Sequence, residues 1–67
     1  MSETRASEEP LVTPHQLAVR WGVTEQYLAD MRYHGTGPAF IKVGRKVRYS
    51  WRAIREYETA NTAARTA

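Results

Sequence analysis

The sequence predicts a small α+β domain made of two short helices, a basic two-stranded hairpin and a closing helix. Three observations carry this. Gly22 and Gly35 stand just past two short segments whose apolar residues fall at helical spacing. Residues 39–50 are rich in β-branched and aromatic side chains and are broken by Gly44. Ser50 opens a third segment of helical period. At 67 residues the chain is one domain at most, and folding at this size buries only about 60% of the chain's surface.

The first helix is expected from Pro14 to about Trp21. Thr13 serves as its cap, Pro14 occupies the first helical position, and Gln16 completes a capping box. Leu17, Ala18 and Trp21 share one face. Gly22 ends the helix, Val23 is a buried plug, and Thr24 caps a second helix from Glu25 to about Tyr33. Leu28 and Met31 turn towards the first helix, and Gly35 ends the second. Helix, tight glycine turn, helix is the helix-turn-helix arrangement. A plain αα-corner has the same spacing.

Thr36, Gly37 and Pro38 form a turn. Segregating charge from core then sets the hairpin. With Ile41 and Val43 facing inward beside Val47 and Tyr49, Lys42 and Arg48 point outward. That pairing predicts a three-residue loop, Gly44-Arg45-Lys46. The last helix runs from Trp51 to about Ala60, with Trp51, Ile54 and Tyr57 (or Glu58) closing the core. Trp21, Tyr49 and Trp51 are read as core residues, not as stacking platforms for bases. Three segments follow: a flexible acidic leader (1–10), the folded domain (11–60) and a polar tail (61–67).

The charge pattern points to a partner. The formal net charge is +3. Residues 1–10 set Arg5 against Glu3, Glu8 and Glu9, whereas Lys42, Arg45, Lys46 and Arg48 lie within seven residues containing no acid. A polyanion fits such a centre. A helix-turn-helix followed by a basic hairpin makes a winged helix-turn-helix, whose second helix enters the major groove while the hairpin reaches phosphates or the minor groove. The candidate DNA-binding residues are Thr24, Gln26, Tyr27, Arg32, Lys42, Arg45, Lys46 and Arg48. Gln26 is suited to adenine, Thr24 and Tyr27 to phosphate, and Arg32 to the flanking backbone. Thr24 also has a structural use as a cap, and the hairpin cations as an aggregation-resistant edge. Glu25 and Asp30 oppose phosphate, so the second helix by itself is a weak reader.

Other classes are disfavoured. There is no cysteine, and the two histidines, His15 and His34, have no ligand-spaced partner, so neither disulfide nor metal is expected. No nucleophile–base pair or carboxylate pair suggests an enzyme, and no cofactor is implied. No apolar run approaches the ~20 residues of a membrane span. Residues 1–10 lack the apolar stretch of a signal peptide, so a cytoplasmic location is expected.

Residues 11–58, LVTPHQLAVRWGVTEQYLADMRYHGTGPAFIKVGRKVRYSWRAIREYE, resemble the small winged-helix proteins of the excisionase and AlpA-like regulator group, related to the DNA-binding head of MerR-type regulators. The matching elements are Leu11, Thr13 and Pro14, the Gly22 to Thr24 turn, Gly35, Gly37 and Pro38, the segment KVGRKVRY (42–49) and the closing helix. The resemblance implies a non-catalytic binder of double-stranded DNA. In excisionases it implies a recombination directionality factor of phage origin. Several copies bend DNA near an attachment site and assist an integrase, of tyrosine or serine type, in the bacterial cytoplasm at the nucleoid. The alternatives are an AlpA-type prophage transcription regulator and a protein-interaction module such as an anti-repressor. Relatives usually carry Arg or Lys where this chain has Glu25, Gln26, Ala29 and Asp30. That departure shifts the expected binding towards the hairpin and towards cooperation between copies.

Overall fold

The structure, a computed structural model, describes residues 10–62. The expected flexible leader, apart from Pro10, and the expected tail beyond Thr62 lie outside the described residues. The elements run in the order α1 (Pro14–Trp21), α2 (Glu25–His34), β1 (Ile41–Val43), β2 (Lys46–Arg48) and α3 (Trp51–Ala60). The domain is thus α+β, with three helices and a two-stranded antiparallel hairpin. Helices α1 and α3 keep their expected limits, α2 extends one residue to His34, and within the β-rich segment 39–50 the strands cover only 41–43 and 46–48.

Each helix begins where a side chain satisfies a backbone donor left open by the first turn. Thr13 Oγ1 accepts from the Gln16 N–H at 3.0 Å, and Gln16 Oε1 accepts from the Thr13 N–H at 2.9 Å, a complete capping box. Thr24 Oγ1 accepts from Tyr27 N–H, and Ser50 Oγ from Ala53 N–H, each at 3.0 Å. Gly22 and Gly35 end α1 and α2 in the left-handed region, at φ 70° and 73°. At Gly37, φ is 86° and an added Cβ would stand 2.8 Å from Met31 Cε, so a side chain there displaces Met31.

The core consists of Val12, Leu17, Ala18, Leu28, Tyr49 and Ile54, with Trp21, Val23, Met31, Val47 and Trp51 packed around it. Every element except β1 contributes to it. Val12 joins the hairpin side of the core through an antiparallel bridge, exchanging backbone hydrogen bonds with Tyr49 at 2.7 and 2.8 Å.

The hairpin corrects the sequence reading. Ile41 pairs with Arg48, Lys42 with Val47 and Val43 with Lys46, leaving a two-residue loop of Gly44 and Arg45 instead of Gly44-Arg45-Lys46. Gly44 takes φ 64°, the positive value that tight hairpin loops require at their first position. Shifting the pairing by one residue exchanges the faces of one strand relative to the other. Val47 and Tyr49 stay inward, but their companions become Lys42 of β1 and Phe40 just before it. The Phe40 and Tyr49 rings lie 6.4 Å apart. Ile41 and Val43, expected inside, are 45% and 53% exposed and share the outer face with Lys46 and Arg48. Arg48 does point outward as expected, whereas Lys42 shares the face of Val47. What this register gains is Phe40 on the inner face, packed on Tyr49 and under the Arg32 guanidinium, contacts that the expected register would turn outward.

A further feature ties α1 to α3. Glu58 accepts from Arg20 Nε and Nη2 at 2.7 and 2.9 Å and from the Trp21 indole N–H at 2.7 Å. Arg20 also lies over the Trp51 ring at 5.0 Å, and Trp21 packs on Tyr57 at 5.4 Å. The Arg20 hydrogen bonds, then that of Trp21, lower the Glu58 pKa from 4.5 to about 2. A depressed carboxylate stabilises the fold fully above its unfolded value, and this contribution is lost as pH falls through the folded one. The melting temperature is therefore expected to drop as pH falls from about 4.5 to 2. Glu58→Gln should show a shallower drop over that window in acid titrations followed by circular dichroism. Equal slopes in the two proteins would assign the acid sensitivity to other carboxylates.

Candidate nucleic-acid interface

Residues 31–55 contain no Asp or Glu and seven cations: Arg32, Lys42, Arg45, Lys46, Arg48, Arg52 and Arg55. This acid-free stretch covers the end of α2, the whole hairpin and the first half of α3. Short-range neutralisation by a sequence neighbour is therefore ruled out across the hairpin.

The hairpin cations do not all stand alike. Arg45 occupies the loop, Lys42 and Lys46 flank it on opposite faces, and all three are exposed. None makes an ion pair or side-chain hydrogen bond among the described residues. Arg48 is half-buried, and its Nη1 donates to the Val47 carbonyl at 2.7 Å. Two strands and a two-residue loop hold the charges close together on a short ribbon, and their mutual repulsion is relieved by any bound polyanion.

Arg32 has a role that the sequence did not reveal. Its Nη1 donates to the Tyr49 hydroxyl at 2.7 Å, and its guanidinium lies 5.8 Å from the Phe40 ring and 6.0 Å from the Tyr49 ring. It fastens α2 to the hairpin, so one face of the guanidinium is already engaged by aromatic rings. Sequence spacing put Arg32 on the flank of α2 but could not show that Tyr49, seventeen residues later, supplies its partner.

The α2 candidates lie at the other end of that helix. Thr24 uses its hydroxyl as a cap, Gln26 donates to Asp30 Oδ1 at 2.9 Å, and Tyr27 is 52% exposed. They stand roughly 10 Å along the helix axis from Arg32. The two acids that oppose phosphate are both engaged. Asp30 accepts from Gln26, and Glu25 Oε2 lies 3.0 Å from His15 Nδ1. Gln26 keeps its second Nε2–H and its Oε1 for a base edge while Asp30 holds the first.

Among the described residues no group of three His, Cys, Asp or Glu side chains could hold a metal ion. Among them, too, no helix is long and apolar enough to cross a membrane. No protein-family model, curated protein or solved structure matches the chain.

Proposed function

We propose that this chain is a winged helix-turn-helix protein that binds duplex DNA, with α1 and α2 as the helix-turn-helix and the hairpin as the wing. The observation that carries this reading is the acid-free stretch 31–55, with Lys42, Arg45 and Lys46 exposed on one short ribbon and unpaired among the described residues. Such a ribbon gains affinity by displacing counterions from phosphates. Helix α2 contributes Thr24, Gln26 and Tyr27, and the wing contributes Lys42, Arg45, Lys46 and Arg48.

Within that class the resemblance of residues 11–58 supports an excisionase-type recombination directionality factor. Several copies bind side by side near an attachment site and bend the DNA for an integrase. A domain this small covers few base pairs, and a helix with engaged acids reads them weakly, so occupancy is shared between neighbours. The AlpA-type regulator is the second reading and makes the same duplex contacts.

The test is a gel shift on duplex DNA from beside the gene, at several salt concentrations, together with circularly permuted fragments to measure bending. A ladder of salt-sensitive, cooperative complexes on bent DNA is expected. A single non-cooperative complex on straight DNA would turn the assignment towards the regulator. No complex at low salt would overturn DNA binding and leave an acidic protein as the partner of the basic hairpin.

A further inference from the structure

We propose that the outer face of the hairpin, formed by Ile41, Val43, Lys46 and Arg48, lies on a sugar–phosphate strand of duplex DNA, with the two apolar side chains packed on deoxyribose and the cations on the flanking phosphates. The inference rests on the DNA-binding reading above and adds an uncharged contact to it.

It begins from the observed register. Ile41 stands opposite Arg48, and Val43 opposite Lys46. Each apolar residue on this face is thus paired across the ribbon with a cation. Ile41 and Val43 are 45% and 53% exposed, beside a core of six buried residues among the described ones. Exposed apolar side chains are common on protein surfaces, and Val19 and Tyr33 are more exposed still; what distinguishes Ile41 and Val43 is that they share one ribbon face with two cations.

The chemistry of the face selects the partner. A DNA strand alternates charged phosphates with uncharged, C–H-rich sugars, and a face that alternates cations with aliphatic groups complements it. Phosphate and sugar together take half or more of the contacts that proteins make to DNA. A second copy of this chain is a poor occupant. Facing hairpins would bring Lys46 and Arg48 of each towards their counterparts, and the stretch 31–55 itself supplies no carboxylate to pair with them. An anionic membrane is a poor occupant too. Interfacial anchoring draws on aromatic and leucine side chains, whereas the hairpin's aromatics, Phe40 and Tyr49, lie on the opposite face.

The test is the double variant Ile41→Thr/Val43→Thr, which keeps β-branching and charge while making the face polar. Binding to a mixed-sequence duplex is measured at several salt concentrations, beside Lys46→Gln. The double variant should bind about tenfold more weakly, from the lost apolar burial. Its salt slope should equal that of the wild type, because no phosphate contact is removed. Lys46→Gln should instead lower the slope by about 0.9. Ile41→Val, which removes a single methylene, should lose about fourfold by the same measure and serves if the double variant melts early.

Unchanged affinity in the double variant would overturn the inference, as would an affinity loss accompanied by a lower slope. Wild-type dimers in sedimentation that the double variant abolishes, with DNA affinity intact, would assign the face to a second copy. If the wild type binds no duplex at all, the DNA-binding reading itself fails. These results separate the two claims.

Discussion

Replacing Lys42, Arg45 and Lys46 together by alanine is expected to weaken duplex binding about a hundredfold at physiological salt and to lower the log–log salt slope by ~2.7. Each of the three is exposed and makes no ion pair or side-chain hydrogen bond among the described residues, so the substitutions break no such contact there. Melting curves of the variant and the wild type should nearly coincide, with a small gain from relieved repulsion at low salt. Arg48 is left in place because its guanidinium holds the Val47 carbonyl, and its loss would mix local structure with binding. Fluorescence anisotropy on labelled duplex at several salt concentrations gives both quantities. A variant with the wild-type slope would show that these cations do not neutralise phosphates, and the hairpin would then be a solvated edge.

Tyr49→Ala is expected to leave the chain unfolded at room temperature. Tyr49 is 1% exposed and is the largest fully buried side chain among the described residues. Its backbone bridges to Val12, its ring packs against Phe40, and its hydroxyl accepts from Arg32. Truncating a buried aromatic ring to alanine costs about 3–5 kcal/mol, while a single core below about 70–80 residues rarely supplies more than about 3–5 kcal/mol. Tyr49→Phe keeps the ring and removes only the acceptor of Arg32. It should fold, with a loss of about 1 kcal/mol. Urea denaturation followed by circular dichroism separates these outcomes. A cooperative Tyr49→Ala transition near that of the wild type would mean that the hairpin is not anchored through this ring.

The helices were legible because their determinants lie within a few residues of one another. Thr13 with Gln16, Thr24 with the Tyr27 amide and Ser50 with the Ala53 amide are each separated by three positions, and the left-handed glycines that end α1 and α2 adjoin their last turns. Leu17, Leu28 and Ile54 were identifiable as core because a helical period marks one buried face. The concentration of positive charge in the hairpin was equally plain, since charge is read directly from residue identity.

The hairpin faces were not legible. Two registers differing by one residue fit the same alternating sequence, and the local rule that apolar residues turn inward chose the one that the structure does not adopt. What accompanies the observed register is distant in sequence: Phe40 facing inward to pack on Tyr49 and beneath Arg32 of α2. The Arg20–Glu58–Trp21 clamp was hidden for the same reason, spanning 38 positions between its charged partners.

The sequence alone therefore determined where each helix starts and stops, which helical residues are buried, and that the centre of the chain is basic, because backbone capping, helical period and charge all act locally. Only the tertiary structure decided which side of the hairpin is free, that Arg32 serves the fold, and that Ile41 and Val43 face outward among the cations. Those outcomes depend on a single buried tyrosine gathering Val12, Arg32 and Phe40 from separate parts of the chain, a convergence that no local pattern encodes.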